Sequence, residues 1–403
     1  MTTSSIPVPQ ALSAQRSPLW PVLFVLLALR LALIIPAQIG AGQTYLASGA
    51  DALQSVNLDP HGFPASWARF DAGFYLGIAR YGYGLGAKEL AFFPGYALLV
   101  RALSLGQPAL MLWAGYLISN VAFVAAALLL WQLVEREHGS GAAWATVISL
   151  AAFPTALFWS ALYAESTFLL LSVLTFWFTV RRQFWLAAVC VALASITRIT
   201  GFMLVAIPLT EFWLARPKPG LIPRQPAFWV RAAGIALVSA VGLGGLCLYF
   251  WITQNAPLAF VNAQEGFWFR TVVWPWQTVL DAARVVATGY GGFETNWFMR
   301  VVSAQDLSVT LVFIVGTVLA ALWLRRSLVI YQVVTLIFML VSHGPYTFGL
   351  WSMSRITIVL FPAFIAFGIL LARWPRFKWA VWVVSHGLQL FLTAPFANGR
   401  WVA

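Results

Sequence analysis

Between Arg101 and Glu135 the chain carries no charged residue, and apolar runs of similar character recur almost to its end. A helix needs about 20 apolar residues to cross about 30 Å of hydrocarbon. Within lipid, only a helix or a closed barrel satisfies its own backbone hydrogen bonds. Scanning with that length predicts eleven spans, near 19–39, 109–134, 142–160, 163–180, 183–197, 199–215, 228–252, 306–324, 327–342, 356–372 and 379–396. The expected fold class is an all-α polytopic membrane protein, with residues 1–403 forming a single integral membrane domain. Composition agrees: 61% of the 403 residues are hydrophobic and 9% are charged, more apolar surface than a soluble domain could hide from water.

The same composition excludes other classes. The net charge of +12 is scattered between apolar runs, not gathered on a soluble face, so no nucleic-acid partner is expected. Cys190 and Cys247 lie inside apolar runs without metal-ligand spacing and read as small membrane-core residues. No cleavable signal peptide, soluble domain, low-complexity tail or internal repeat is expected.

Charge bias sets the orientation, because basic residues concentrate in cytoplasmic loops. With the N-terminus cytoplasmic, the inner segments hold Arg16, Arg136, Arg181, Arg182, Arg216, Lys218, Arg224, Arg231, Arg325, Arg326, Arg373, Arg376 and Lys378. They hold only three acids, Glu135, Glu137 and Glu211; the other nine, from Asp51 to Asp306, fall outside. Two large outer loops result, 40–108 and 253–305, each longer than a simple connection needs. Both contain aromatic, amphipathic stretches suited to lying along a membrane surface, such as Phe70, Phe74, Ile78 and Tyr81.

Ionisable groups near a membrane mark function, and the first loop concentrates them. Arg69, Asp71, Tyr75 and Arg80 stand within a run of rings, in a chain with only twelve acids. Asp71 has two readings, a helix N-cap or a general base kept ionised by Arg69 or Arg80. Lys88-Glu89 reads as a solvated charged pair at a helix start. Glu165, enclosed by apolar sequence, needs an arginine or a substrate hydroxyl opposite it. Arg198 and Arg355 interrupt apolar stretches at the outer edge. They either snorkel or offer their forked donors to a lipid phosphate. In the second loop Gln264, Trp268 and Arg270 suit sugar recognition or an interfacial anchor equally. His343-Gly344-Pro345-Tyr346 lies in an outer turn, where a lone His is structural. No metal-binding or nucleotide-binding motif is present.

Phe70-Asp71-Ala72…Tyr75-Leu76…Ile78-Ala79…Gly82-Tyr83 resembles the first-loop signature of the PIG-V mannosyltransferase family. Phe92-Phe93-Pro94, Tyr163-Ala164-Glu165-Ser166, Arg198…Gly201, Gln264…Trp268…Arg270 and Ser354-Arg355…Phe361-Pro362 follow in the order that the family shows. The resemblance implies a GT-C glycosyltransferase bundle using a polyprenyl-phosphate sugar on the non-cytoplasmic face, with Asp71 as the catalytic acidic residue. Arg69, Tyr75, Arg80, Glu89, Glu165, Arg198, Gln264, Trp268, Arg270 and Arg355 would then shape the donor and acceptor groove. It implies no cofactor, the lipid-linked sugar being a substrate, and membrane lipids and an unidentified glycan, lipid or protein acceptor as partners; no doubled acidic motif follows Phe70, so no metal is expected. Three Lys against 21 Arg point to a GC-rich bacterial genome and an inner-membrane location, so the eukaryotic acceptor is not carried over. A transporter or flippase is the competing class. It would place its charges near the midplane and repeat its halves, whereas these charges gather at the outer edge. A catalytically silent scaffold is a third possibility.

Overall fold

Residues 18–42, 53, 56–59, 63–216, 225–289, 297–344 and 348–403 are described by a computed structural model. Asp51, Arg16, Lys218, Arg224, Pro345 and Tyr346 lie outside the described residues. Helices dominate: α1 (Trp20–Ala32), α2 (Ile34–Ala41), α3 (Ala72–Tyr81), α4 (Pro94–Leu103), α5 (Pro108–His138), α6 (Ser140–Ala151), α7 (Glu165–Val180), α8 (Phe184–Ser195) and α9 (Ala206–Leu214). There follow α10 (Pro226–Gln254), α11 (Ala259–Gly266), α12 (Pro275–Thr288), α13 (Trp297–Trp323), α14 (Arg326–Val341), α15 (Met353–Ile356), α16 (Phe361–Ala372) and α17 (Pro375–Ala397). Prolines open α4, α5, α10, α12 and α17, where the missing N–H is one that no helix start could pair anyway.

The chain is a multi-pass membrane protein. Five described helical segments are long and apolar enough to cross a bilayer: 20–41, α5, α10, 300–323 and α17. A sixth span results if Met353–Val359 and Phe361–Ala372, bent by 81° at Leu360, count as one. The remaining predicted spans coincide with shorter apolar helices, Ser140–Ala151, Glu165–Val180, Phe184–Ser195, Ile199–Leu214 and Arg326–Val341.

Two departures from the predicted spans matter for the site. The span expected over 142–160 is helical only to Ala151, and its remainder folds into a turn and the short 3-10 helix Ala156–Trp159. Arg30 of α1 explains how that break is tolerated: its guanidinium donates to the carbonyls of Ala151 and Ala156 and lies over the Phe123 ring. A buried helix end cannot leave those carbonyls unpaired. The second departure is that α13 starts at Trp297, so Asp306 is buried within a helix instead of standing at its outer end.

Gly139, at φ 84°, turns the chain between α5 and α6 in a conformation costly for residues with a Cβ. It makes the two helices an antiparallel pair. Gly368 of α16 lets that helix lie directly on α6, because a Cβ there would sit 2.7 Å from the Thr146 amide nitrogen. The main core joins α5, α6, α7 and α16 around residues such as Phe123, Phe158, Phe168, Phe361 and Phe364. The short antiparallel pair β1 (Thr271–Val272) and β2 (Ser342–His343), with Thr271 opposite His343, ties the second large loop to the end of α14.

Candidate active site

Asp71 immediately precedes α3, yet its side chain does not cap that helix. Its Oδ2 instead meets Arg355 Nη1 at 2.6 Å, across 284 positions of sequence. The capping reading is therefore not how this carboxylate is used, and its cation is neither Arg69 nor Arg80. Arg69 is buried and donates from Nε to the Ala397 carbonyl at 2.8 Å, at the last turn of α17. Arg80 donates to the carbonyls of Val56 and Asn57. Both arginines brace the first loop on backbone.

A second pair lies beside the first. Glu165, 1% exposed at the start of α7, meets Arg198 Nη1 at 2.8 Å, and its Oε1 stands 3.7 Å from Arg355 Nε. Its Oε2 is buried without a hydrogen-bond partner, as is Arg355 Nε. The Arg355 guanidinium is walled by the rings of Tyr163 at 5.2 Å, Trp401 at 5.5 Å and Phe158 at 5.7 Å. Rings of this kind attract a cation and keep water away from it, so the charges act at lower dielectric than at a surface.

Arg270 completes the set from the second large loop. It donates to the Trp351 carbonyl at 3.2 Å and to Ser342, and among the described residues no carboxylate pairs with it. Burial pulls its guanidinium down to about 10, with the Arg355 charge acting in the same direction, so it stays cationic at neutral pH. Burial likewise pushes the Tyr75 phenol upward, keeping it neutral.

One cavity of about 630 Å³ joins these groups. Asp71, Tyr75, Glu165, Arg198, Gln264, Trp268, Arg270 and Arg355 all line it, together with apolar residues including Phe338, Met339 and Phe348. Three expected site residues do not: Arg69 and Arg80 are spent on backbone carbonyls, and Glu89 faces a second cavity behind α3. Nor are Lys88 and Glu89 a solvated pair, because Glu89 is 4% exposed.

Backbone geometry is unusual beside the site. Phe70 (φ 50°), Phe269 (φ 49°) and Ser352 (φ 64°) adopt the left-handed conformation, adjacent or close to Asp71, Arg270 and Arg355. Non-glycine residues persist there only where their surroundings hold them. For Ser352 the holder is Asp306, which accepts the amides of Ser352 at 3.1 Å and Ser354 at 2.7 Å. Sequence reading missed this clamp, along with Trp401, which stacks on Trp351 and meets Phe70 edge-on. An acid at the head of an apolar run was the available signal for Asp306; none was available for Trp401. Among the described residues no cluster of three His, Cys, Asp or Glu is placed to hold a metal ion. His343 lies away from the cavity lining, with Nε2 3.2 Å from Asp281 and Nδ1 2.7 Å from the Gly344 carbonyl.

Residues 21–214 match the family model described as Mannosyltransferase (PIG-V). The expected resemblance is borne out over that segment, which holds Asp71, Glu89, Glu165 and Arg198, whereas Gln264, Trp268, Arg270 and Arg355 lie beyond it. The match supports a glycosyltransferase. No curated protein matches the chain. Among solved structures, the Archaeoglobus fulgidus oligosaccharyltransferase tethered to an acceptor peptide is similar at a TM-score of 0.40 and 12% identity, over 93% of this chain and 55% of that one. The oligosaccharyltransferase AglB of the same organism, in complex with an inhibitory peptide and a dolichol-phosphate, is similar at a TM-score of 0.40 and 13% identity, over 94% and 56%. The chain thus spans about half the length of those structures.

Proposed function

We propose that this chain, matched over residues 21–214 by the PIG-V mannosyltransferase family, is a membrane glycosyltransferase. It moves a sugar, mannose by the family's name, from a polyprenyl-phosphate donor to an acceptor hydroxyl on the extracytoplasmic face. The observation that carries this reading is the Asp71 carboxylate in the cavity: Arg355 holds Oδ2 at 2.6 Å, while Oδ1 has no hydrogen bond among the described contacts. One oxygen is positioned and the other is open to take a proton.

The transfer is a single displacement with inversion. The acceptor hydroxyl oxygen bonds to the anomeric carbon while the bond from that carbon to the phosphate oxygen breaks. The electron pair leaves with the phosphate, and the hydroxyl proton passes to Asp71. Negative charge builds on the leaving phosphate, which needs fixed cations. Two of the three cavity arginines are offset by Asp71 and Glu165. Arg270 has no such partner, so it is the natural anchor for a phosphodiester, with Arg355 reaching between phosphate and base. The apolar wall at Phe338 and Met339 suits the prenyl chain.

Purified protein incubated with a panel of labelled polyprenyl-phosphate sugars tests the proposal. The wild type consumes at least one donor, and Asp71→Asn, folded and inserted, loses about 10²–10⁴ of the transfer rate, the range for a lost general base. A folded wild type that consumes none overturns it, and wild-type turnover by Asp71→Asn removes Asp71 as the base.

A further inference from the structure

From Leu307 to Ala403 the chain contains no Asp or Glu. Two cations of this stretch find acids further back: Arg355 meets Asp71, and Arg325 meets Glu137 at 2.9 Å. Arg326, Arg373, Arg376 and Lys378 find none among the described ion pairs. All four lie where α13 turns into α14 and where α16 turns into α17. The two turns touch, because the Arg373 guanidinium lies 4.7 Å over the Trp323 ring.

The second turn, Arg373-Trp374-Pro375-Arg376-Phe377-Lys378-Trp379, interleaves its cations with rings. Those rings face outward: Trp374, Phe377 and Trp379 are 55%, 56% and 61% exposed. The surface is nevertheless held in place. Lys378 Nζ lies 5.4 Å over Trp382, whose indole N–H donates to Ser149 Oγ at 3.0 Å and whose ring packs with Ala145 and Leu371. From this turn the 23 residues of α17 rise about 35 Å, to the Ala397 carbonyl that receives Arg69. That length matches the hydrocarbon thickness of about 30 Å. The turn therefore sits at the headgroup level of the leaflet opposite the Asp71 site. Val383 and Val384, about one helical turn further along α17, are exposed and face the hydrocarbon.

Setting the orientation of a membrane protein requires only the charges. It does not require rings between them or cations held over indoles. Guanidinium forks fit phosphate oxygens, and Trp rings favour headgroup depth. A zwitterionic lipid brings its own ammonium, whereas an anionic one leaves its phosphate charge to be matched. The exposed rings, continuous with the lipid-facing valines, favour a lipid over an acidic soluble partner.

We propose that the α16–α17 turn, with Arg326 beside it, is a docking surface for anionic phospholipid of that leaflet. The phosphodiester meets Arg373, Arg376 and Lys378, and the acyl chains run down α17 along Val383 and Val384. This surface stands independently of the transferase reading.

The full chain is reconstituted in nanodiscs of phosphatidylcholine and phosphatidylglycerol, and spin-labelled forms of each lipid report how much is held at the protein boundary. Wild type holds phosphatidylglycerol in preference to phosphatidylcholine. The triple variant Arg373→Gln, Arg376→Gln, Lys378→Gln lowers that preference at least about fivefold, the contribution of one cation near an anionic surface. Arg376 is exposed and lies over no ring among the described contacts, so Arg376→Glu lowers the preference without repacking and decides the matter if the triple variant fails to fold. Arg182→Gln with Arg231→Gln removes two exposed charges elsewhere on the chain and leaves the preference unchanged. Equal association of the two lipids with wild type overturns the proposal, as does a folded triple variant or Arg376→Glu protein that keeps the preference. Loss of the preference in the Arg182 and Arg231 variant to the same extent also overturns it, because the lipid would then answer to net charge and not to this turn.

Discussion

Asp71 and Arg355 stand 2.6 Å apart behind aromatic walls, so the two residues must be treated as one unit. Arg355→Ala leaves Asp71 and one side of Glu165 without their cation, and breaking a buried pair costs about 3–5 kcal/mol. The expected result is a large drop in Tm together with loss of transfer. Arg355→Lys keeps the charge but loses the fork. It should fold, with transfer reduced more than donor binding. A chemical denaturation series on both variants, beside donor titrations, checks this; equal losses of stability in the two would argue against the buried charge as what Arg355 contributes to stability. Glu89 gives a pH prediction. Its carboxyl is raised in the folded state by burial, so its ionisation destabilises the fold as pH rises through the interval from the ordinary carboxylate range to the raised one. The Tm advantage of Glu89→Gln over wild type should be largest at neutral pH and vanish below the ordinary range. Residue identity in the cavity was largely legible, because scarce acids among rings are conspicuous. The pairing was not legible: Asp71 finds its cation 284 positions away, while the nearer Arg69 and Arg80 serve carbonyls that no sequence pattern marks as needy.

Elements were legible where a long apolar run sufficed, as in α5 and α10, and illegible where tertiary contacts override composition. The break after Ala151 needs Arg30, contributed by a helix more than a hundred residues earlier. The turn into α15 at Ser352 needs Asp306, contributed by α13. That clamp supports a prediction about an element, since it orients α15 and therefore Arg355. Asp306→Ala frees two amides, and each buried group left unpaired costs about 1–3 kcal/mol. The variant should lose stability and transfer together. Asp306→Asn retains one acceptor oxygen and should recover part of both. Thermal unfolding and donor turnover, measured on the same preparations, decide the matter; an Asp306→Ala protein with wild-type turnover would mean that α15 holds its place without the clamp.

For the whole molecule, the side of the membrane decides whether the chemistry makes sense. Lys88 is exposed beside the second cavity, and Gln183 is exposed in the turn between α7 and α8, next to Arg181 and Arg182. Charge bias puts the first outside and the second inside. In a background with Cys190 and Cys247 replaced, Lys88→Cys should react with a membrane-impermeant maleimide on intact cells, and Gln183→Cys only after permeabilisation. Ala91, Phe92, Phe93 and the second loop line the cavity that holds Asp71, so labelling at nearby Lys88 reports the side on which the donor must arrive. The reverse pattern would put Asp71 on the cytoplasmic side. An extracytoplasmic prenyl-phosphate donor would then be unreachable, and the proposed reaction would have to be abandoned even if the Asp71 and Arg355 geometry stood unchanged.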